Sequence, residues 1–410
     1  MRPPTPIKTS SAVHARRYRR PALAALAALA ALLLAAVLVG PWAGSPGGAR
    51  GQAAVGCSDP RPEWLMCEDF EGGAAGWEDW FAGSPFVECL GCRDGGNNPD
   101  RLLLVEDRAA AHSGSWSLHM PAEAAAGYQG AALTFRDCRG EKRQGCRLNG
   151  HDQLYFRSWV RLADDHAYVH HFLSLAGTQP DAYWAADGNA GCRPNGTRWA
   201  GTTLDFDADR ALFFYTYFPG MRCDRGGYCS GDYARRICEG CAAKDMPCRS
   251  GPECCWGNHF GPAEPVRLER GRWVCLELMA RFNTPGEADG EMAFWVDDQP
   301  AHRQTGMHWR DVAALQLNQA WLQHYIAAGD TQVSNRIWFD DVVVSTERIG
   351  CGPRRPDATA TTTTEATATE APAGATPTVG TAPANTVTPQ ATTPTGTTGR
   401  LFLPLASRGH

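Results

Sequence analysis

The stretch "QLYFRSWVRL", residues 153–162, alternates without a break. Leu154, Phe156, Ser158 and Val160 fall on one side of it, and Tyr155, Arg157, Trp159 and Arg161 fall on the other. A period of two places these sets on opposite faces of a β-strand, one face suited to a core and the other aromatic and basic. Two further stretches repeat the pattern. "RALFFYTYFP" (210–219) sets Phe213, Tyr215 and Tyr217 against Leu212, Phe214 and Thr216. "RWVCLELMARFN" (272–283) sets Val274, Leu276, Leu278 and Ala280 against Trp273, Cys275, Glu277, Met279 and Arg281. The loop "TPGEADG" (284–290) then supplies a turn into "GEMAFWVDDQP" (290–300). Helical periodicity is scarce, with "WRDVAALQL" (309–317) the best short candidate. Many strands and few helices predict a β-sandwich in which one sheet carries a polar, aromatic, concave face.

The ends of the 410-residue chain are of another kind. Arg16, Arg17, Arg19 and Arg20 precede an apolar run from Ala22 to Val39, followed by Pro41 and the small-residue stretch "GGARGQAAVG". Basic, apolar, then small is the order of a secretory signal cleaved after Ala53; a run of 18 residues is also long enough to serve as an N-terminal membrane anchor. Both readings of residues 1–53 export the rest of the chain, with the N-terminus kept inside. Residues 353–398 are dominated by Thr, Ala and Pro, cannot bury enough apolar surface to fold, and read as an extended, disordered stalk. The last twelve residues, 399–410, form a short apolar tag with basic ends, too short to span a bilayer. The folding unit is therefore 54–352, long enough for one large sandwich.

Without residues 1–53 the chain has 32 basic and 44 acidic residues, a net charge of −12. That sign argues against nucleic acid as a partner, and mildly against a polyanionic substrate unless a local Arg cluster overrides it. The 14 tryptophans of the chain suit a polysaccharide, whose pyranose faces stack on aromatic rings. All sixteen cysteines lie between Cys57 and Cys351, an even number in an exported chain, and are read as disulfides. Seven of them crowd an insertion at 223–255, and Cys89–Cys92 and Cys238–Cys241 also have C-x-x-C spacing. Spacing alone leaves the pairing open.

Taken in order, "CEDFEGG" (67–73), "AHSGSWSLHMP" (111–121), "RFNTPGEADGEMAFWVDDQPAH" (281–302) and "NRIWFDDVVVSTERIG" (335–350) resemble the strands and hairpin of concanavalin A-like jelly rolls, and within them polysaccharide lyase family 14. The likeness spans most of 57–352. It implies a jelly-roll β-sandwich whose first and last strands lie side by side, with a structural Ca2+ held by Glu68, Glu71, Asp340 and Asp341, Asp69 standing beside them. Calcium takes six to eight oxygen ligands, which would explain two adjacent acids inside a closing strand. The plainer alternative is that one Asp faces solvent and the other caps a turn.

A lyase of uronate polymers neutralises the uronate carboxylate, removes the C5 proton and protonates the leaving oxygen. For these roles the sequence offers Arg157 as neutraliser, His171 as base, and Tyr215 or Tyr217 as acid. Tyr155, Trp159, Arg161 and His170 would line the cleft, with Gln316, Asn318, His324 and Tyr325 from "QLNQAWLQHY" (316–325). Family 14 enzymes look to a catalytic lysine; here Lys142 and Lys244, both in Cys-rich loops, are the only lysines of the domain. Either Arg or His has taken that role or the chemistry is absent. Adjacent residues on a regular strand face opposite ways, so one of His170 and His171 would be structural. Two other activities compete. "TLDFDADRA" (203–211) alternates Asp205, Asp207 and Asp209, paired carboxylates such as glycoside hydrolases use. The same aromatic face would also serve a non-catalytic, lectin-like module on a cell surface.

Overall fold

The computed structural model describes residues 57–92, 100–122, 127–167, 169–221, 257–329 and 335–352. The N-terminal signal or anchor, the Cys-rich insertion with Lys244, the stalk and the C-terminal tag lie outside the described residues. Fifteen strands are described, beginning with β1 (Trp64–Glu68), β2 (Phe86–Leu90), β3 (Leu103–Glu106), β4 (Trp116–Ala122) and β5 (Gly127–Arg136). They continue with β6 (Gln153–Leu162), β7 (Val169–Thr178), β8 (Trp199–Phe206), β9 (Leu212–Tyr217) and β10 (Asn258–Phe260). The last are β11 (Trp273–Arg281), β12 (Gly290–Val296), β13 (Gln299–Met307), β14 (Gln316–Gly329) and β15 (Asn335–Ser345).

These strands form two antiparallel sheets. Sheet I runs β13-β12-β11-β6-β15-β4-β3, with β1 also on β15; sheet II runs β10-β9-β8-β7-β14-β5-β2. This is a jelly-roll β-sandwich, with the first and last strands paired as expected: Cys67 lies opposite Val343 and Glu68 opposite Val342. The inward residues of the alternating stretches are the ones that fill the space between the sheets. Leu154, Phe156 and Val160 from sheet I are buried there, as are Phe172, Phe206 and Phe214 from sheet II. Phe172 meets Phe339 at 6.2 Å and Phe214 meets Phe294 at 5.4 Å, so aromatic contacts tie one sheet to the other. Burying one such ring contributes roughly 2–3 kcal/mol.

The two acids of β15 have a definite task. Asp341 has a φ of 46°, in the left-handed region that Asp tolerates, and the pairing of β15 with β6 shifts between Asp340 and Val343. This bulge turns both carboxylates toward the loop ahead of β4. Asp340 Oδ2 accepts the N–H groups of His112 (2.9 Å) and Ser113 (3.1 Å). Asp341 Oδ2 meets His112 Nδ1 at 2.6 Å, and its Oδ1 accepts the Ser113 hydroxyl at 3.0 Å. Burial, with Asp341 beside it, pushes the Asp340 carboxyl well above the usual range, while the N–H donors pull it back.

The remaining members of the anticipated calcium set are engaged in the same way. Glu71 Oε1 accepts the N–H of Ser115 and Trp116, and Glu68 Oε1 accepts those of Phe70 and the Trp80 indole. Among the described residues no group of three or more His, Cys, Asp or Glu is arranged to hold a metal ion.

Two local expectations change. "WRDVAALQL" is no helix: Arg310 reaches the carbonyls of Asn283 and Leu315, and Asn283 Oδ1 accepts the N–H of Trp309 and Arg310, which fixes a turn instead. A short helix, α1 (Trp77–Gly83), forms elsewhere, with Trp77 and Trp80 three residues apart on its buried side and Glu78 and Asp79 in its first turn. No helix among the described residues is long and apolar enough to cross a membrane. Four disulfides are described, Cys57–Cys67, Cys89–Cys92, Cys138–Cys146 and Cys275–Cys351, so the first C-x-x-C is a disulfide; Cys192 is also disulfide-bonded.

Candidate active site

The alternating residues that face away from the core on sheet II come into one cluster. Cross-strand register aligns Ser174 with Thr203, Thr203 with Tyr215 and Tyr215 with His259, while β14 presents Trp321 beside Ser174 and Tyr325 beside His171. Residues directly opposite on neighbouring strands share a face, so these side chains form one surface.

His170 and His171 both belong to it. The pairing of β7 shifts between Val169 and Leu173 toward β8, and that of β14 shifts between Leu322 and Tyr325 toward β7. A bulge breaks the strict alternation, and the two imidazoles lie 4.2 Å apart instead of on opposite faces. The His171 ring is 5.0 Å from Tyr215 and stacks on Tyr325 at 5.4 Å; His170 is 6.1 Å from Tyr215. Tyr215 is in turn packed under Gly257, where a Cβ would sit 2.9 Å from the phenol ring.

Polar contacts orient this group. His171 Nδ1 lies 3.0 Å from Asp205 Oδ2, and Asp205 is almost wholly buried while the His171 side chain keeps 26 % of its surface exposed. When Asp205 is ionised it accepts the Nδ1 proton, and the other ring nitrogen, Nε2, is then the one that can accept a proton. Burial lowers the His171 pKa to about 4 and raises that of Asp205, so the imidazole is neutral, and therefore able to accept a proton, at neutral pH. The Tyr215 and Tyr217 hydroxyls are 3.1 Å apart, and Tyr217 accepts the Gly191 N–H at 2.9 Å. Burial, with Tyr217 adjacent, pushes the Tyr215 phenol well above its usual pKa, which keeps it protonated as an acid should be. Gln323 Nε2 donates to Ser174 Oγ at 2.7 Å. One end of the face is covered by residues 183–187, which Arg136 secures through the Tyr183 carbonyl and both oxygens of Asp187.

The expected site residues thus divide. His170, His171, Tyr215, Tyr217 and Tyr325 are brought together. Arg157, Tyr155, Trp159 and Arg161 are on β6 in sheet I and do not reach them. Arg157 and Trp159 are covered by chain segments that flank the terminal strands: Arg157 donates to the carbonyls of Asp341 (3.0 Å) and Gly350 (3.1 Å), and Trp159 is stacked at 3.7 Å on His112 and packed with Cys275 and Cys351. His324 points into the core, where its Nε2 meets His166 Nε2 at 3.2 Å. Asn318 is fully buried on Thr178, and Gln316 stands at the start of β14 beside Asp152.

Lys142 is outside the cluster, donating to the carbonyls of Phe81 and Ser84. The anticipated hydrolase carboxylates do not form a pair, because Asp205 serves His171 while Asp207 Oδ1 caps a turn through the N–H of Asp209 and Ala211. Gln323 and Thr203, by contrast, went unremarked in the sequence; "QAWLQHY" alternates Gln319, Trp321, Gln323 and Tyr325 on one parity, which was the available signal.

No known protein family and no curated protein matches the chain. Solved structures do. The PL-14 alginate lyase of Aplysia kurodai aligns at 12% identity over 69% of this chain and 99% of its own, with a TM-score of 0.42. The alginate lyase vAL-1 of Chlorella virus aligns at 12% identity over 68% and 96%, with a TM-score of 0.43. The endo-β-1,4-glucuronan lyase of Trichoderma reesei aligns at 16% identity over 64% and 96%, with a TM-score of 0.36. In the order and pairing of its strands the chain is a jelly-roll β-sandwich, similar at low identity to these polysaccharide lyases.

Proposed function

We propose that the chain is an exported polysaccharide lyase that cleaves a uronate-containing polymer by β-elimination on the outer face of sheet II. The observation that carries this reading is the placement of a neutral, Asp-oriented imidazole beside a hydrogen-bonded tyrosine pair: His171 on Asp205, with Tyr215 5.0 Å from its ring and Tyr217 on Tyr215. In the reaction His171 Nε2 takes the C5 proton. The released electron pair forms the C4–C5 double bond, the C4–O4 bond breaks, and Tyr215 gives its proton to O4, with Tyr217 hydrogen-bonded to its hydroxyl. Water then returns the Tyr215 proton while His171 loses the one it took. In place of Arg157, the amide of Gln323 neutralises the uronate carboxylate, an N–H donor in a buried setting where its dipole is poorly screened. Disulfides fit an oxidising, extracellular setting.

The test is to incubate the oxidised protein with acidic and neutral polysaccharides while following ultraviolet absorbance from unsaturated uronates together with reducing ends. Both rising on an acidic polymer is the expected result. Reducing ends alone would mean a hydrolase. Retention on an immobilised glycan with neither signal would mean a lectin-like module, and would overturn the roles given to His171 and Tyr215.

A further inference from the structure

Outside the cluster just described, the exposed side of sheet I carries a second group of side chains with an unmet chemical demand. Register aligns His119 of β4 with Trp338 of β15, and Trp338 with Arg161 of β6. The His119 and Trp338 rings stack at 4.5 Å and 6°, and the Arg161 guanidinium lies 5.7 Å from the indole centroid. Because β15 lies between β4 and β6, these two partners flank the indole from opposite sides. A cavity of about 170 Å³ opens there, lined by Arg161, Arg336, Trp338 and Asp164 among others. At about 30 Å³ for each water, it has room for roughly five waters or one sugar-sized group.

Charge in this cavity is not balanced in the usual way. The Nε groups of Arg161 and Arg336 are both buried without a hydrogen-bond partner, and Arg161 forms no ion pair among the described residues. Arg336 is paired at 3.0 Å with Asp165, whose side chain is 59% exposed, a contact that solvent screens and a ligand can replace. Arg270 lies close enough to act on the charge of Asp165. His119 adds no charge at neutral pH, since burial and Arg336 lower its pKa to about 4. Two buried donors with no acceptor are costly, and are met best by a planar oxyanion that accepts from a guanidinium fork.

We infer that this cavity is a carboxylate-binding subsite, distinct from the His171 cluster, that takes a uronate residue of an acidic polysaccharide. Arg161 and Arg336 receive the carboxylate, Trp338 supports the ring edge, and Asp164 at the rim accepts from a sugar hydroxyl. Placed on the sheet opposite the reaction, the subsite holds the polymer to the protein without being cleared at each cleavage. It stands independently of the proposed lyase activity, because a binding module would use it equally.

The experiment follows the indole N–H resonance of Trp338 in the ¹⁵N-labelled full chain, assigned by its disappearance in Trp338→Phe. His171→Ala is used as parent so that no cleavage occurs during titration. Tetraglucuronate is expected to shift this resonance saturably, cellotetraose to leave it in place, and Arg161→Gln and Arg336→Gln each to weaken the titration at least tenfold. Sodium acetate tests the other source of a carboxylate: a shift at concentrations comparable to tetraglucuronate would replace the polysaccharide ligand by a small free acid, and overturn the uronate assignment. A Trp338 resonance unmoved by either probe would overturn the site itself. Neither result depends on whether the His171 cluster turns over substrate.

Discussion

Two histidine–aspartate pairs, one on each sheet, differ in almost everything except the hydrogen bond that defines them. On sheet I, His112 Nδ1 and Asp341 Oδ2 are 2.6 Å apart; on sheet II, His171 Nδ1 and Asp205 Oδ2 are 3.0 Å apart. The first pair is closed. His112 is stacked on Trp159 at 3.7 Å, its N–H donates to Asp340, and Asp341 also accepts the Ser113 hydroxyl. The second is open on the side that matters: the His171 ring has Tyr215 and Tyr325 for neighbours and a quarter of its side-chain surface exposed. The same two residue types therefore fasten a loop in one place and, in the function proposed above, prepare a proton acceptor in the other. What separates the roles is the third partner: an indole that seals the ring, or a phenol that can deliver a proton.

Exchange of the two histidines is the strongest way to break this contrast. His171→Ala is expected to reduce turnover by about 10²–10⁴-fold, the range general-base groups contribute. It should leave the thermal transition within a few degrees of the parent. His112→Ala is expected to do the reverse, losing about 2 kcal/mol of stability with its stacking and hydrogen bonds, and keeping turnover per folded molecule. Paired rate assays and urea unfolding on both variants check this. Equal losses of activity in the two would erase the distinction.

Arg157 extends the same contrast to the residue that sequence reasoning placed at the chemistry. Its guanidinium donates to the carbonyls of Asp341 and Gly350 and so ties the bulge of β15 to the segment beyond it. Arg157→Ala leaves those carbonyls buried and adds a void, and is expected to cost about 3 kcal/mol in urea unfolding. The folded fraction should retain the parent's turnover. A large loss of turnover with unchanged stability would return Arg157 to the active site.

The misplacement has a physical origin. Alternation tells which residues of a strand share a face, and in β6 and β9 it sorted inward from outward residues correctly. It carries no information on which sheet a strand joins. Arg157 and Tyr215 are both outward, yet β6 is bonded to β11 and β15 while β9 is bonded to β8 and β10, so they lie on opposite sides of the molecule. Nor does alternation foresee a bulge. The irregularity at Val169–Leu173 puts His170 with His171, and the one at Leu317–Gln319 determines which parity of β14 faces out, so that Tyr325 and Gln323 face outward while His324 faces the core. The pairing of the first and last strands was legible because "CEDFEGG" and "NRIWFDDVVVSTERIG" resemble the closing strands of a known sandwich. The use of their acids as acceptors for backbone N–H groups depends on a loop that only the fold brings near.

The pH dependence offers the finest test, because activity and stability should respond in different windows. His171, with a pKa lowered to about 4 by burial, stays neutral through mildly acidic solution, so turnover of the folded protein should fall only as pH approaches about 4. Stability begins to fall sooner. His324 is buried in the core against His166 with its pKa lowered to about 3, whereas in the unfolded chain it titrates near 6.5. The unfolded state therefore binds the proton first, and stability contributed by neutral His324 is full above about 6.5 and is lost as pH drops below it, by about 1 kcal/mol between pH 7 and 5.5. Comparing urea midpoints at those two pH values for the parent and for His324→Gln isolates this contribution: the variant's decline should be shallower by that amount. A decline equally steep in both would mean that His324 is not held neutral by burial. An acid limb of turnover near 6.5 would mean that His171 is more solvated than its place between Tyr215, Tyr325 and Asp205 implies, and would bring the open pair closer to an ordinary surface histidine than to a prepared base.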